Sequence, residues 1–269
     1  MKYVTLSFDD GRKDNLSVAS PILRKYDCKA TVFCVTGFVD GTWTHSKDIW
    51  KSVGDHLTVD DIRQMSTQGW EIGLHGDTHI TAPQDWETAV GKLKQWGLFS
   101  GKVSFSIPNS NYTRDDLNRI YESDLGNEID CIRAGRRIRT KDPRNILLYG
   151  LYRVFRFQWA YNLFNKPSVN NVRDLARRDV RSVVIKRTDS PQMIERFIDS
   201  AADDSWIVFM LHSILPKSDS LYSADSWTWS DESFASLVDY LHDAECKGQL
   251  QVIHFNETDH WGKINENQQ

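Results

Sequence analysis

Eight short apolar runs, interleaved with segments of helical period, set the strongest limit on how this chain can fold. The runs cover 3–8, 30–35, 70–74, 103–107, 129–134, 182–186, 206–211 and 249–255. Segments with apolar residues at helical spacing lie at 16–25, 58–68, 86–96, 114–122, 193–202 and 231–245, the first with Asp14 or Asn15 as its expected cap. Strands that alternate with helices are joined by crossovers, so a parallel sheet is expected. About eight strands suit an α/β fold closed, or nearly closed, into a barrel. With 269 residues, 40% hydrophobic and 12% aromatic, the chain can bury the core of one such domain, expected to span 1–269.

The stretch 139–178 breaks this rhythm. Within it, 145–164 is strongly aromatic and carries only Arg153 and Arg156 as charges. Two arginines and a glutamine near the centre argue against a membrane span. An inserted, partly buried helix is the expectation. The alternative is a lid, or a helix lying in a membrane interface, with Tyr149, Tyr152, Phe155, Trp159 and Phe164 as anchors.

A formal net charge of −4 gives no electrostatic reason to expect a nucleic-acid partner. The basic residues Arg133, Arg136, Arg137, Arg139, Lys141 and Arg144 read as a solvated face, with a phosphate-bearing substrate as the alternative. Cys28, Cys34, Cys131 and Cys246 lack paired metal-site or disulfide-scaffold spacing, and Cys34 and Cys131 fall in apolar runs as small buried residues. Met1-Lys2 leads directly into the first run without a signal peptide. A cytoplasmic protein, with peripheral membrane contact as an option, is expected.

Polar fragments follow several of the apolar runs: Asp9-Asp10, His75 with His79, and His212. In parallel α/β folds the carboxyl ends of strands converge on one mouth, where sites assemble. His75 and His79 stand four apart, so a helical turn would place both imidazoles on one side. Alone they read better as surface histidines. Asp10 adds a carboxylate, and an Asp/His/His set leaves coordination positions open for water and substrate. Zinc is the first choice of metal, with cobalt, nickel, manganese or iron tolerated. Asp9 would then act as base. Without the histidines, the pair reads as an Asp-Asp-Gly turn. His212 is a candidate acid, and Asp189 a candidate to hold it.

These fragments resemble the polysaccharide deacetylases, carbohydrate esterase family 4, also called the NodB-homology domain. The carriers are Ser7-Phe8-Asp9-Asp10-Gly11, His75-Gly76-Asp77-Thr78-His79 and Met210-Leu211-His212. The resemblance covers position 1 to about 241, apart from 139–178. It implies a deformed (β/α) barrel of the NodB type, here with a helical insertion. It also implies metal-dependent removal of an acyl group, usually acetyl, from an N-acylated sugar. Asp9 is then base, Asp10, His75 and His79 ligands, and His212 acid. The family's third motif corresponds to 105–110, which makes the Asn109 N–H the oxyanion donor beside Pro108. Ser106 stands where the family carries an arginine that holds the base. Arg133 and Arg187 are candidates to replace it, Arg133 preferred. Asp189 is the nearest equivalent of the family's fourth motif. Pro108, Met210, Leu211, Trp227 and Trp229, with Tyr222, would contact substrate.

The expected function is therefore removal of an acetyl, or formyl, group from an amino sugar or a sugar-containing precursor of a surface polysaccharide. A barrel that only binds carbohydrate, and a hydrolase of a non-sugar amide such as a cyclic imide or purine-type ring, are the alternatives. The carbohydrate or glycoconjugate partner and the oligomeric state are not specified further by the residues.

Overall fold

The computed structural model describes residues 1–43, 54–110, 112–135, 142–175 and 179–258. In chain order the first half comprises β1 (Lys2–Phe8), α1 (Ser20–Lys25), β2 (Thr31–Cys34), α2 (Thr36–Val39), α3 (Val59–Thr67), β3 (Glu71–Leu74), α4 (Pro83–Gln95), β4 (Val103–Ser106), α5 (Arg114–Glu122) and β5 (Ile129–Gly135). The second half adds α6 (Pro143–Phe155), α7 (Gln158–Asn165), β6 (Asn170–Asn171), β7 (Val180–Arg181), β8 (Val183–Val184), α8 (Pro191–Ser200), β9 (Ser205–Leu211), β10 (Ile214–Leu215), β11 (Trp229–Ser230), α9 (Asp231–Cys246) and β12 (Leu250–Val252).

Parallel pairing runs β9-β1-β2-β3-β4-β5-β7. The ring then closes through one kinked segment. Arg133 of β5 pairs with Val180, whereas Val183 and Val184 pair with Phe209 and Met210 of β9. The chain changes partner at Ser182, making a deformed (β/α) barrel. β12 pairs with the first residues of β1, while the last residues of β1 pair with β2. β6 is antiparallel to β9, and β10 and β11 form a separate parallel pair.

Period two explains why nearly every strand residue is buried. In β1, Val4, Leu6 and Phe8 join the helix-side core, together with Ile207, Phe209 and Leu211 of β9. The intervening Trp206 and Val208 join Phe33, Cys131, Val180 and Phe255 in a second cluster inside the ring. Gly73 makes room for it: a Cβ there would come within 2.6 Å of the Phe33 ring. The third cluster joins β3, β4 and β5 to α4 and α5, with Trp86 stacked on Phe105 at 4.0 Å. Truncating either ring would cost about 3–5 kcal/mol.

Helix starts follow their capping residues. Thr58 and Thr113 each form a reciprocal capping box, with Asp61 and Asp116. The first helical segment differs from expectation. Asn15–Ala19 is a π-helical turn, and the Asp14 side chain makes no cap there. Instead Asp14 Oδ1 accepts from Ile214 N–H, and Asn15 Nδ2 donates to His212 C=O, so both tie the first loop to the one following β9.

The insertion folds as two helices, not one, turning at Arg156 in the left-handed region (φ 57°). Of the five residues expected as interfacial anchors, Tyr152 and Phe164 are buried, Tyr149 is partly buried, and Phe155 and Trp159 are exposed. Among the described residues no helix is long and apolar enough to cross a membrane. Arg136, Arg137, Arg139 and Lys141 lie outside the described residues. All four cysteines are free, and burial pushes the Cys28 and Cys34 thiols up to about 12.

Candidate active site

The site forms where β1, β3, β4, β5 and β9 end. Asp9 and Asp10 follow β1 directly, with Asp9 N–H donating to Leu211 C=O. Asp10 and Gly11 both take positive φ, 72° and 64°. Around this sharp turn both carboxylates approach His75 Nε2, Asp9 Oδ2 at 3.8 Å and Asp10 Oδ1 at 3.7 Å, and Gly11 fits because a Cβ would press on Cys34 Sγ at 3.1 Å.

His75 follows β3. Its Nδ1 lies 2.8 Å from the Ser106 carbonyl, which can only accept, so the proton is on Nδ1 and the Nε2 lone pair faces the cluster. His79 lies four residues on, with φ 59°. The loop between them is fixed by Asp85 in the first turn of α4. One Asp85 oxygen accepts from Asp77 N–H and the other from Thr78 N–H, each at 2.8 Å. Gly76 permits this approach, since a Cβ there would sit 2.4 Å from Asp85 Oδ2.

Asp10 Oδ1, His75 Nε2 and His79 Nε2 converge. The two imidazole nitrogens are 3.2 Å apart, and each is 3.7 Å from Asp10 Oδ1. Bonds of zinc length at tetrahedral angles place neighbouring ligand atoms about 3.4 Å apart. Two inward lone pairs this close repel unless a cation or proton lies between them. Donor type, spacing and the His75 tautomer therefore all fit a divalent cation. Burial, then the nearby His75, depresses His79 to about 4, so its neutral, ligating form is favoured. Burial alone would raise the Asp10 carboxyl, but Arg12 and the surrounding imidazoles hold it well below the usual carboxylate range.

Arg12 was not anticipated from sequence. It is buried, and its Nη2 and Nε donate to Asp10 Oδ2 at 3.1 and 3.3 Å. Its Nη1 reaches Ser213 Oγ at 2.8 Å and Asp225 Oδ2 at 3.2 Å. One Asp10 oxygen is thus occupied, and the other is left for the cation. No spacing rule marks such an arginine. Its only sequence signal is proximity to the Asp-Asp pair.

Arg133 sits on β5 beside Ser106 of β4, its register partner. Its Nη2 donates to both Asp9 oxygens and to Ser106 Oγ, and its Nη1 reaches Ser7 Oγ at 3.3 Å. Asp9 Oδ2 is held 3.8 Å from His75 Nε2, next to the triad. Arg187 is placed elsewhere, donating to the Tyr222 and Asp225 carbonyls.

His212 is partly buried at the end of β9, 5.1 Å from the Trp227 ring. Burial lowers its pKa, opposed by the carboxylates of Asp10, Asp9 and Asp225. The expectation that Asp189 holds His212 is not met. Asp189 closes a turn: Oδ2 accepts from Lys186 N–H at 2.9 Å, and Oδ1 faces Arg153 Nη1 at 3.9 Å. Asp225, on this side, engages Arg12, and its charge is the smallest of the three carboxylate influences on His212.

Two expected substrate contacts are also corrected. Leu211 points to the helix-side core, because it shares the parity of Ile207 and Phe209. Trp229 is fully buried there and donates to Asp189 C=O at 2.8 Å. Trp227 lies against His212, with ring centroids 5.1 Å apart. Pro108 has no N–H, and Ser110 N–H closes the turn onto Ile107 C=O at 3.2 Å. Asn109, between them, takes positive φ at 55°.

Residues 1–122 match the family described as polysaccharide deacetylase. The chain is 36% identical over 125 residues to YxkH of Bacillus subtilis (strain 168), whose name assigns it provisionally to polysaccharide deacetylation. That match covers 43% of this chain and 40% of YxkH, so the chain spans about two fifths of that relative's length. A family 4 acetyl xylan esterase from Clostridium thermocellum, in complex with a cobalt ion, aligns over 95% of this chain and 89% of its own, at 16% identity and a TM-score of 0.48. The Bc1960 peptidoglycan N-acetylglucosamine deacetylase aligns over 97% and 90%, at 12% identity and a TM-score of 0.49. The segment that matches the polysaccharide deacetylase family, residues 1–122, is the one that carries Asp9, Asp10, His75 and His79, and it ends with α5.

Proposed function

We propose that this protein is a metal-dependent N-deacylase, removing an acetyl group from an N-acetylated amino sugar in a polysaccharide or its precursor. The observation that carries this reading is the convergence of Asp10 Oδ1, His75 Nε2 and His79 Nε2, with Asp9 held beside them by Arg133. Asp10, His75 and His79 would hold the cation. Bound there, a divalent metal supplies Lewis acidity and makes water a nucleophile near neutral pH.

The chain's own groups provide the remaining chemistry. Asp9, fixed by Arg133, is placed to take the proton from the attacking water. The Asn109 N–H faces the charge that develops on the amide oxygen. His212 delivers a proton to the departing nitrogen, which leaves as an amine and not as an amide anion. Trp227, beside His212, offers a face on which a sugar ring can stack.

Acetate release from N-acetylated amino-sugar oligomers tests this reading. The expected result is release that a chelator abolishes, that added zinc or cobalt restores, and that Asp9→Asn removes while the fold stays intact. Binding of the same oligomers without turnover, unchanged by chelator, would contradict it.

A further inference from the structure

The insertion's outer surface calls for a partner. Among the described residues, nine large hydrophobic residues are markedly exposed, and seven of them lie between 146 and 163. On α6, Ile146, Leu147 and Val154 flank Gly150, where an added Cβ would meet nothing within 4 Å. At the corner and on α7, Phe155, Phe157 and Trp159 form a row of near-parallel rings 5.7 and 6.1 Å apart. Exposures along this face run from 42% to 71%.

The opposite face is fully engaged. Tyr161 packs on Phe197, Gln158 Nε2 donates to Met193 C=O, and Asn162 Nδ2 donates to Ser200 Oγ. The hairpin is therefore anchored on α8, and its outer apolar face is not a product of loose docking.

Charge selects the occupant. Helix α6 carries Arg144 and Arg153, the corner carries Arg156, and residues 143–165 include no acidic residue, although the whole chain is net negative. Arg153 faces Asp189 at 3.9 Å, whereas Arg144 is exposed at the start of α6; aliphatic tips, a row of aromatic rings and flanking arginines match the boundary between acyl chains and anionic headgroups. The hairpin also adjoins the site. Lys186 Nζ lies 5.2 Å over the Tyr149 ring of α6 and 5.1 Å over the Trp227 ring, and Trp227 packs on His212.

We infer that the outer face of the α6–α7 hairpin docks the protein on an anionic lipid surface, beside the mouth of the active site. Sedimentation of the full chain with phosphatidylcholine vesicles, with and without phosphatidylglycerol, tests this. Binding should require the anionic lipid and weaken with added salt. Val154→Ser with Phe155→Ser and Trp159→Ser should lower the bound fraction at least about ten-fold, and Arg144→Glu should reduce it further. An unchanged thermal midpoint in these variants, whose side chains are exposed, separates lost docking from misfolding. No binding by the wild type, equal binding to neutral vesicles, or a wild-type dimer in light scattering that Trp159→Ser makes monomeric would each overturn the inference. Vesicle binding is read without turnover, so it stands or falls apart from the proposed activity.

Discussion

Ser106 and Arg133 are register partners on adjacent strands, and the Arg133 guanidinium donates both to Ser106 Oγ and to the Asp9 carboxylate. Where the family carries an arginine on the first of these strands, this chain has a small hydroxyl, and the neighbouring strand sends a guanidinium through the space that is left. The carboxylate receives the same kind of charge from the next position around the barrel.

Arg133→Ala is expected to leave the Asp9 carboxylate buried without its partner. Loss of one member of a buried ion pair costs about 3–5 kcal/mol of stability, and activity should fall by about 10²-fold or more if Asp9 is the base. Arg133→Lys keeps the charge without the planar fork, and should fall between the wild type and the alanine variant. Urea unfolding and steady-state rates measure both. An alanine variant with wild-type rates would remove Asp9 and Arg133 from the chemistry.

Arg12 occupies the second oxygen of Asp10, and Asp225 in turn engages Arg12. Groups that orient a metal ligand change affinity by about 10–100-fold when removed. Arg12→Ala should weaken zinc binding by that factor in calorimetric titration, and Asp225→Asn should weaken it less. Equal affinity in the wild type and Arg12→Ala would show that Asp10 needs no such support.

Asp189 gives a pH signature of the opposite sign to most carboxylates. Burial pushes it up to about 6, with the Lys186 N–H and Arg153 opposing. A folded-state pKa above the unfolded value of 3.8 means that the fold prefers the protonated acid. That contribution is complete below the unfolded value and is lost as pH rises through about 6. Asp189→Asn keeps the acceptor but cannot ionise. It should therefore be more stable than the wild type near neutral pH by about 1–3 kcal/mol, with the gap closing in acid. A gap that does not change with pH would contradict this.

Much of the fold was legible because strands buried on both faces read as unbroken apolar runs. The closing segment was not, since a strand that changes partner at Ser182 leaves no mark in hydrophobicity. The Asp9/Asp10/His75/His79 constellation was legible through residue type and its place at strand ends. Arg12, Asp85 and Asp225 were missed because their roles depend on side chains that meet only after the loops fold. Leu211 and Trp229 were misassigned for a simpler reason. Period two in β9 puts Leu211 on the side away from Met210, and Trp229 fills the core beneath the site.

Cobalt titration followed by visible absorption tests the central claim most directly. The account predicts one cobalt per chain with a low-symmetry d–d spectrum, and its loss in Asp10→Ala, His75→Ala and His79→Ala, each folded by circular dichroism. A wild type that binds no cobalt or zinc, or three variants that bind it unchanged, would contradict the account.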